Sequence, residues 1–241
     1  MYFYKKLKHN NFSKLRMKLQ LQIKMNEELY LRNPESSELG KKIIQSSVQL
    51  IYLNGFEAFT FKKLAEEINS TEASVYRYFE NKHRLLSYIV AWYWSWLEYQ
   101  ISFQTNNLTD PKIKLQRIIK LLAMAVEDDQ KTNYVDESLL HQIIISEGSK
   151  VYLTKHVGED NKHHFFKPYK ELCAVIGAII LECSPTYKYP KSLATTIIEM
   201  AHFQNYFMVH LPLLTDFGEN KDESEIILFL EDLVFSSMAK K

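Results

Sequence analysis

The sequence predicts an all-α protein, and three observations carry that expectation. Glycine and proline number only six each in 241 residues, too few for a fold built on tight turns. Apolar residues recur at helical spacing through most of the chain. No segment shows the strict alternation of a half-buried strand. About nine helices are expected, arranged as a small three-helix front unit and a larger helical rear domain.

Residues 1–35 read as a basic N-terminal extension. Lys5, Lys6, Lys8, Lys14, Arg16, Lys18 and Lys24 carry no acidic partner through residue 26. Asn33-Pro34-Glu35-Ser36-Ser37 is a linker and helix start, with Ser36 or Ser37 as N-cap. The first helix spans Glu38–Asn54, with stripes Ile44, Val48, Ile51 and Ile43, Ser47, Leu50. Gly55 stands where a left-handed capping residue is expected. Thr60 caps a short helix, Phe61–Ile68, and Asn69 tolerates a left-handed turn. Thr71 or Ser70 opens another short helix to Phe79, and Lys82 opens a long one to Phe103.

Asp110-Pro111 caps a helix through Val126, and a further helix covers Tyr134–Glu147 and stops at Gly148. Residues 149–162 read as polar and irregular. Helices then follow at Phe166–Glu182, Pro190–Leu211 and Glu223–Met238.

Composition narrows the function. Residues 1–85 hold 15 of the 30 basic and 9 of the 29 acidic residues, leaving a basic front and an acidic rear. Such a front suits a polyanion. No apolar run reaches the ~20 residues of a membrane span, and the N-terminus lacks a signal-peptide core. Cys173 and Cys183 lie in one predicted helix, too far apart along it to bridge. A reduced, cytoplasmic protein without membrane contact is expected. No phosphate-cradling glycine loop, nucleophile spacing or Glu-x-x-His motif is present, so an enzyme is not expected, nor a cofactor. His156, His163 and His164 lack metal-ligand spacing, and no metal site is expected.

The three short helices at 38–54, 61–68 and 71–79 fit a helix-turn-helix unit over residues 36–85. In such a unit the second short helix lies in the DNA major groove. Val75 and Phe79 would anchor it, while Thr71, Glu72, Ser74 and Arg77 face out. The start of the next helix, with Lys82, His83 and Arg84, suits phosphate.

The stretch "IIQSSVQLIYLNGFEAFTFKKLAEEINSTEASVYRYFENKHRLL" resembles the DNA-binding domain of the tetracycline-repressor (TetR) family of bacterial transcriptional regulators. Gly55-Phe56, Thr60, Leu64-Ala65, Tyr76-x-Tyr78-Phe79-x-Asn81-Lys82 and Leu85 carry the likeness. The resemblance implies a homodimer that binds double-stranded operator DNA and responds to a small-molecule inducer. It further implies that Thr60 and Lys62 hold phosphates and that Glu72, Ala73, Ser74 and Arg77 face base edges. Tyr76 and Lys82 would clamp the backbone, with Tyr78 assisting. The chain departs from the family at Asn69 and Ser70, where glycine and an aliphatic residue are usual. Lys62 stands for an arginine, keeping charge but not fork geometry. Glu72 is acidic at a reading position, where it can accept from cytosine N4.

Residues 86–241 are then the ligand-binding and dimerisation domain. Trp92, Trp96, Tyr99 and Phe103 form one aromatic stripe that suits either core packing or a pocket wall for a flat or apolar ligand. Phe203, Phe207, Leu211, Phe229 and Leu233 lie on broad apolar stripes of the last two helices, where the resemblance places the dimer contact. The resulting expectation is a sequence-specific transcriptional regulator, a repressor released by its ligand. The alternative is a helical adaptor that keeps the shape without binding DNA.

Overall fold

The computed structural model describes residues 23–124, 126 and 134–239. Ten α-helices and no strand occur among them: α1 Glu38–Ala58, α2 Phe61–Glu67, α3 Glu72–Tyr76, α4 Lys82–Thr105, α5 Pro111–Ala123, α6 Glu137–Glu147, α7 Val157–Lys162, α8 Lys167–Cys183, α9 Pro190–His210 and α10 Glu223–Met238. The basic residues of segment 1–22 lie outside the described residues. Helix α7 falls where an irregular loop was expected.

Side-chain caps set the helix starts. Ser37, Thr60, Thr71 and Asn81 accept from the backbone N–H of Gly40, Lys63, Ser74 and Arg84. Each satisfies one of the orphan donors of a first helical turn. Gly55 takes φ 74° as expected, yet the helical span continues across it to Ala58. The positive φ kinks the segment instead of ending it. Asn69 takes φ 52°, making the tight turn between α2 and α3.

The front core is built from Ile44, Val48 and Ile51 of α1, Phe61 and Leu64 of α2, and Val75 of α3, with Phe56, Phe59 and Phe79. Helix α3 is shorter than expected. After Tyr76 the chain turns so that Tyr78 and Phe79 both become buried. In the rear domain α4 is apolar nearly all round and runs through the middle, packed by α5, α6 and α8. Helix α8 also packs on α9, and α10 closes against α5 and α9.

Residues 23–37 form a strap over the join between front and rear. Leu29 is buried, and Leu31 N–H donates to the Tyr78 carbonyl at 2.8 Å. Glu35 accepts from the hydroxyls of Tyr88 at 3.4 Å and Tyr134 at 2.7 Å. Glycine at position 40 is required by this strap, because a Cβ there would meet the Pro34 carbonyl oxygen at 2.2 Å.

Candidate nucleic-acid interface

Helices α2 and α3 turn one face to solvent. Thr60, Lys62, Thr71, Glu72, Ala73, Tyr76 and Arg77 are all exposed on it, and Ser74 is half-buried. Buried Val75 and Phe79 fasten the other side of the unit. Thr71 Oγ1 accepts from Ser74 N–H and lies 2.9 Å from the Ser74 hydroxyl, which fixes the first turn of α3. The Tyr76 ring stands edge-on to Phe61 at 5.0 Å, so a largely exposed tyrosine is held at a set angle. Among the described residues the side chains of Lys62 and Arg77 make no hydrogen bond or ion pair. Lys63 differs, donating to the Ala58 carbonyl at 2.8 Å.

Two residues expected at the DNA backbone have protein partners in this structure. Tyr78 is only 2% exposed, and its hydroxyl lies 2.7 Å from Ser37 Oγ. Its ring also carries the Arg32 guanidinium at 5.3 Å. It fastens the strap and is not on the outer face. Lys82 donates from Nζ to the carbonyls of Phe56, Glu57 and Phe59 at 3.0, 3.1 and 3.2 Å. An ammonium has three donors, so all are committed to closing the kinked end of α1. Its neighbours are likewise turned inward. His83 packs edge-on to Phe56 at 5.1 Å, and Arg84 bonds Asp160 at 3.3 Å while lying over Phe165. The basic start of α4 is therefore a joint between front and rear. Lys82→Met, which keeps the stem and removes the donors, is expected to lower unfolding free energy by about 1–3 kcal/mol. Chemical denaturation checks this.

Sequence reasoning missed the other half of that joint. Glu147, at the end of α6, accepts from Phe56 N–H at 3.1 Å. Lys150 bridges Glu147 at 2.8 Å and Glu57 at 2.9 Å. The hydrogen bond from Lys150 holds the Glu57 carboxyl below its usual range, and Glu147 raises the Lys150 ammonium. Only the three-residue spacing of Glu147 and Lys150 was visible in advance, and it does not reveal a partner 91 residues away. At the strap, His163 bonds both Glu28 and Glu159, and those carboxylates raise its pKa.

The expected pocket wall on α4 divides. Trp92 and Trp96 are buried in the core, whereas Tyr99 and Phe103 are 46% and 69% exposed and stack on each other at the surface. The stripe is therefore split between core and surface. Two cavities among the described residues, about 620 and 540 Å³, are lined by other residues. Of the residues expected at a dimer contact, Phe203, Leu211 and Phe229 are exposed and Phe207 and Leu233 are half-buried. Cys173 and Cys183 are both free thiols. No helix among the described residues is long and apolar enough to cross a membrane.

Residues 43–89 match the family model described as bacterial regulatory proteins, tetR family. An uncharacterized HTH-type transcriptional regulator, YvkB of Bacillus subtilis (strain 168), is 35% identical over 52 residues. That stretch covers 22% of this chain and spans only 28% of the relative. Among solved structures, AibR in complex with isovaleryl coenzyme A and operator DNA matches at TM-score 0.56 and 15% identity, covering 81% of this chain and 98% of AibR. The fatty acid degradation regulator FadR of Bacillus halodurans matches at 0.56 and 18%, covering 80% and 92%. The superantigen PfiT matches at 0.56 and 12%, covering 87% and 100%. At such identities the likeness shows the fold, which regulators share with a protein of another role.

Proposed function

We propose that this chain, whose residues 43–89 match the family model of bacterial regulatory proteins, tetR family, regulates transcription by binding operator DNA through the outer face of α2 and α3. The observation that carries the reading is the pair of uncommitted cations, Lys62 and Arg77, flanking exposed Thr71, Glu72, Ala73 and Tyr76 on one anchored scaffold. Thr60 and Lys62 hold phosphates. Glu72, Ala73, Ser74 and Arg77 reach base edges, and Tyr76 packs on the sugar-phosphate backbone.

The chain acts as a repressor in the cytoplasm, released when a small ligand enters the rear domain. The AibR complex, with operator DNA and an acyl coenzyme A, supports that class of control. A homodimer places two reading heads on half-sites about one helical turn apart. The apolar outer faces of α9 and α10, with Phe203, Val209, Leu211, Leu228 and Phe229 exposed, support such a partner. A monomeric mass at micromolar concentration would count against it.

The interface is tested by fluorescence anisotropy on duplex DNA across a salt series. Affinity is expected to fall steeply with salt, and Lys62→Ala should reduce the log–log slope by about 1. Salt-independent binding, or none at low salt, would favour the adaptor alternative.

A further inference from the structure

A groove of about 540 Å³ opens where the front unit meets the rear domain, between α1, α6 and α9. That volume is within the range of small-molecule sites. Much of its wall is apolar or aromatic, with Ile51 and Tyr52 of α1, Ile145 of α6, and Tyr206 and Met208 of α9. His210 adds a ring that lies against Tyr206 at 4.6 Å. No lysine or arginine lines the groove. Its two carboxylates are already engaged. Glu147 holds Phe56 N–H and pairs with Lys150, and Glu223 has a partner of its own. An ion entering the groove would leave water without a free carboxylate, lysine or arginine to receive it.

One polar side chain of the wall keeps an open position. His141 of α6 is 2% exposed and lines the groove. Its Nδ1 is turned to the core, 2.7 Å from the hydroxyl of buried Tyr93. Burial raises the Tyr93 phenol, so that hydroxyl keeps its proton. Among the described residues His141 Nδ1 is its only acceptor, so Tyr93 O–H donates and Nδ1 accepts. Burial also lowers the His141 pKa to about 4, which leaves the ring neutral at pH 7 with its one proton on Nε2. Nε2 makes no hydrogen bond among the described residues, and unlike the sealed Nε2 of His202 it is open to the groove. The geometry points to a binding site for an uncharged amphipathic molecule whose carbonyl oxygen accepts from His141 Nε2–H, while its apolar body lies among Tyr52, Ile145 and Met208. Neutral amides, esters and lactones have that chemistry. A ligand seated there lies beside Glu147, the side chain that ties α6 to α1 through Phe56 N–H, so its occupancy bears on the joint that positions the reading head. Only the groove's role as the inducer site rests on the proposed function; its occupancy does not.

The test is NMR of the full chain at pH 7, using the long-range proton–nitrogen spectrum of its imidazoles, with the His141 signals identified by their loss in His141→Phe. The free chain should show His141 with its proton on Nε2. Three probes of one shape are then titrated: phenylacetamide, phenylacetate and phenethylammonium. The amide is expected to shift the His141 signals saturably at one site per chain, at least ~10-fold more tightly than either ion, because neither ion finds a free counter-charge. His141→Phe should weaken the amide about 3–10-fold, the scale of one hydrogen bond, read from the ligand signals. Ser146→Trp places a large ring in the groove from an exposed position of α6, so it leaves the core intact and should weaken the amide at least ~10-fold. Tyr189→Ala, at an exposed residue outside the groove, should change nothing. A proton on Nδ1 instead of Nε2, no saturable amide binding, ions bound as tightly as the amide, or binding indifferent to Ser146→Trp each overturns the proposal. The titration contains no DNA, so its failure and a failure of operator binding are read separately.

Discussion

Acidification from pH 7 to pH 5 is expected to lower the unfolding free energy by roughly 4 kcal/mol through two histidines alone. His141 and His202 are buried side by side in the rear core, their rings 5.6 Å apart. Tyr93 OH lies 2.7 Å from His141 Nδ1, and His202 stacks on Trp94. His202 Nε2 has no hydrogen-bond partner among the described residues. Burial lowers the pKa values to about 4 for His141 and about 3 for His202, with His141 adding to the effect on His202. Unfolding releases both toward 6.5. Below that value the unfolded chain takes up protons that the folded chain refuses, so stability is full above 6.5 and drains as pH falls. Each ring contributes roughly 2 kcal/mol of that loss by pH 5. Urea unfolding at pH 7, 6 and 5 measures it. His202→Phe should remove about half of the pH dependence, whereas a flat profile in the parent chain would show that the rings are solvated. The brace at His163 runs the other way. Its raised pKa means its pairing with Glu28 and Glu159 is strongest below 6.5 and fades as pH rises through the folded value.

Arg77→Ala is expected to weaken operator binding about 10–100-fold, equivalent to the ~1–3 kcal/mol of one good base contact. The loss should be confined to some operator positions, because a base contact discriminates and a phosphate contact does not. Arg77 is exposed at the end of α3, while Val75 and Phe79 beside it are buried, so the guanidinium can be removed without opening the core. Anisotropy titrations against the operator and its single-base variants check both parts. An affinity change uniform across all variants would move Arg77 to the phosphate backbone.

The front unit was legible in the sequence because local rules govern it. Caps at Thr60 and Thr71 and the left-handed turn at Asn69 depend on residues within a few positions. The outer face of α3 follows from helical spacing around Val75. The protein partners of Tyr78 and Lys82 were not legible because they are remote or nonlocal. A buried hydroxyl on Ser37 and three carbonyls of a kinked helix end leave no mark on nearby sequence. The aromatic stripe on α4 divided for a related reason. Periodicity places Trp96 and Tyr99 on one face, but α4 runs from a packed middle to an open end, and burial changes along it. Glu147 was invisible until folding brought α6 against α1. The resulting picture separates a reading surface of α2 and α3 from a joint made by Lys82, Glu147 and Lys150.

The most direct measurement is selection of the full chain against a library of randomised duplexes, followed by sequencing of the retained fraction. One enriched motif with two-fold symmetry and half-sites about one helical turn apart is expected, with loss of its enrichment at specific positions in Arg77→Ala. Retention without any enriched sequence, unchanged by Lys62→Ala and Arg77→Ala, would contradict it.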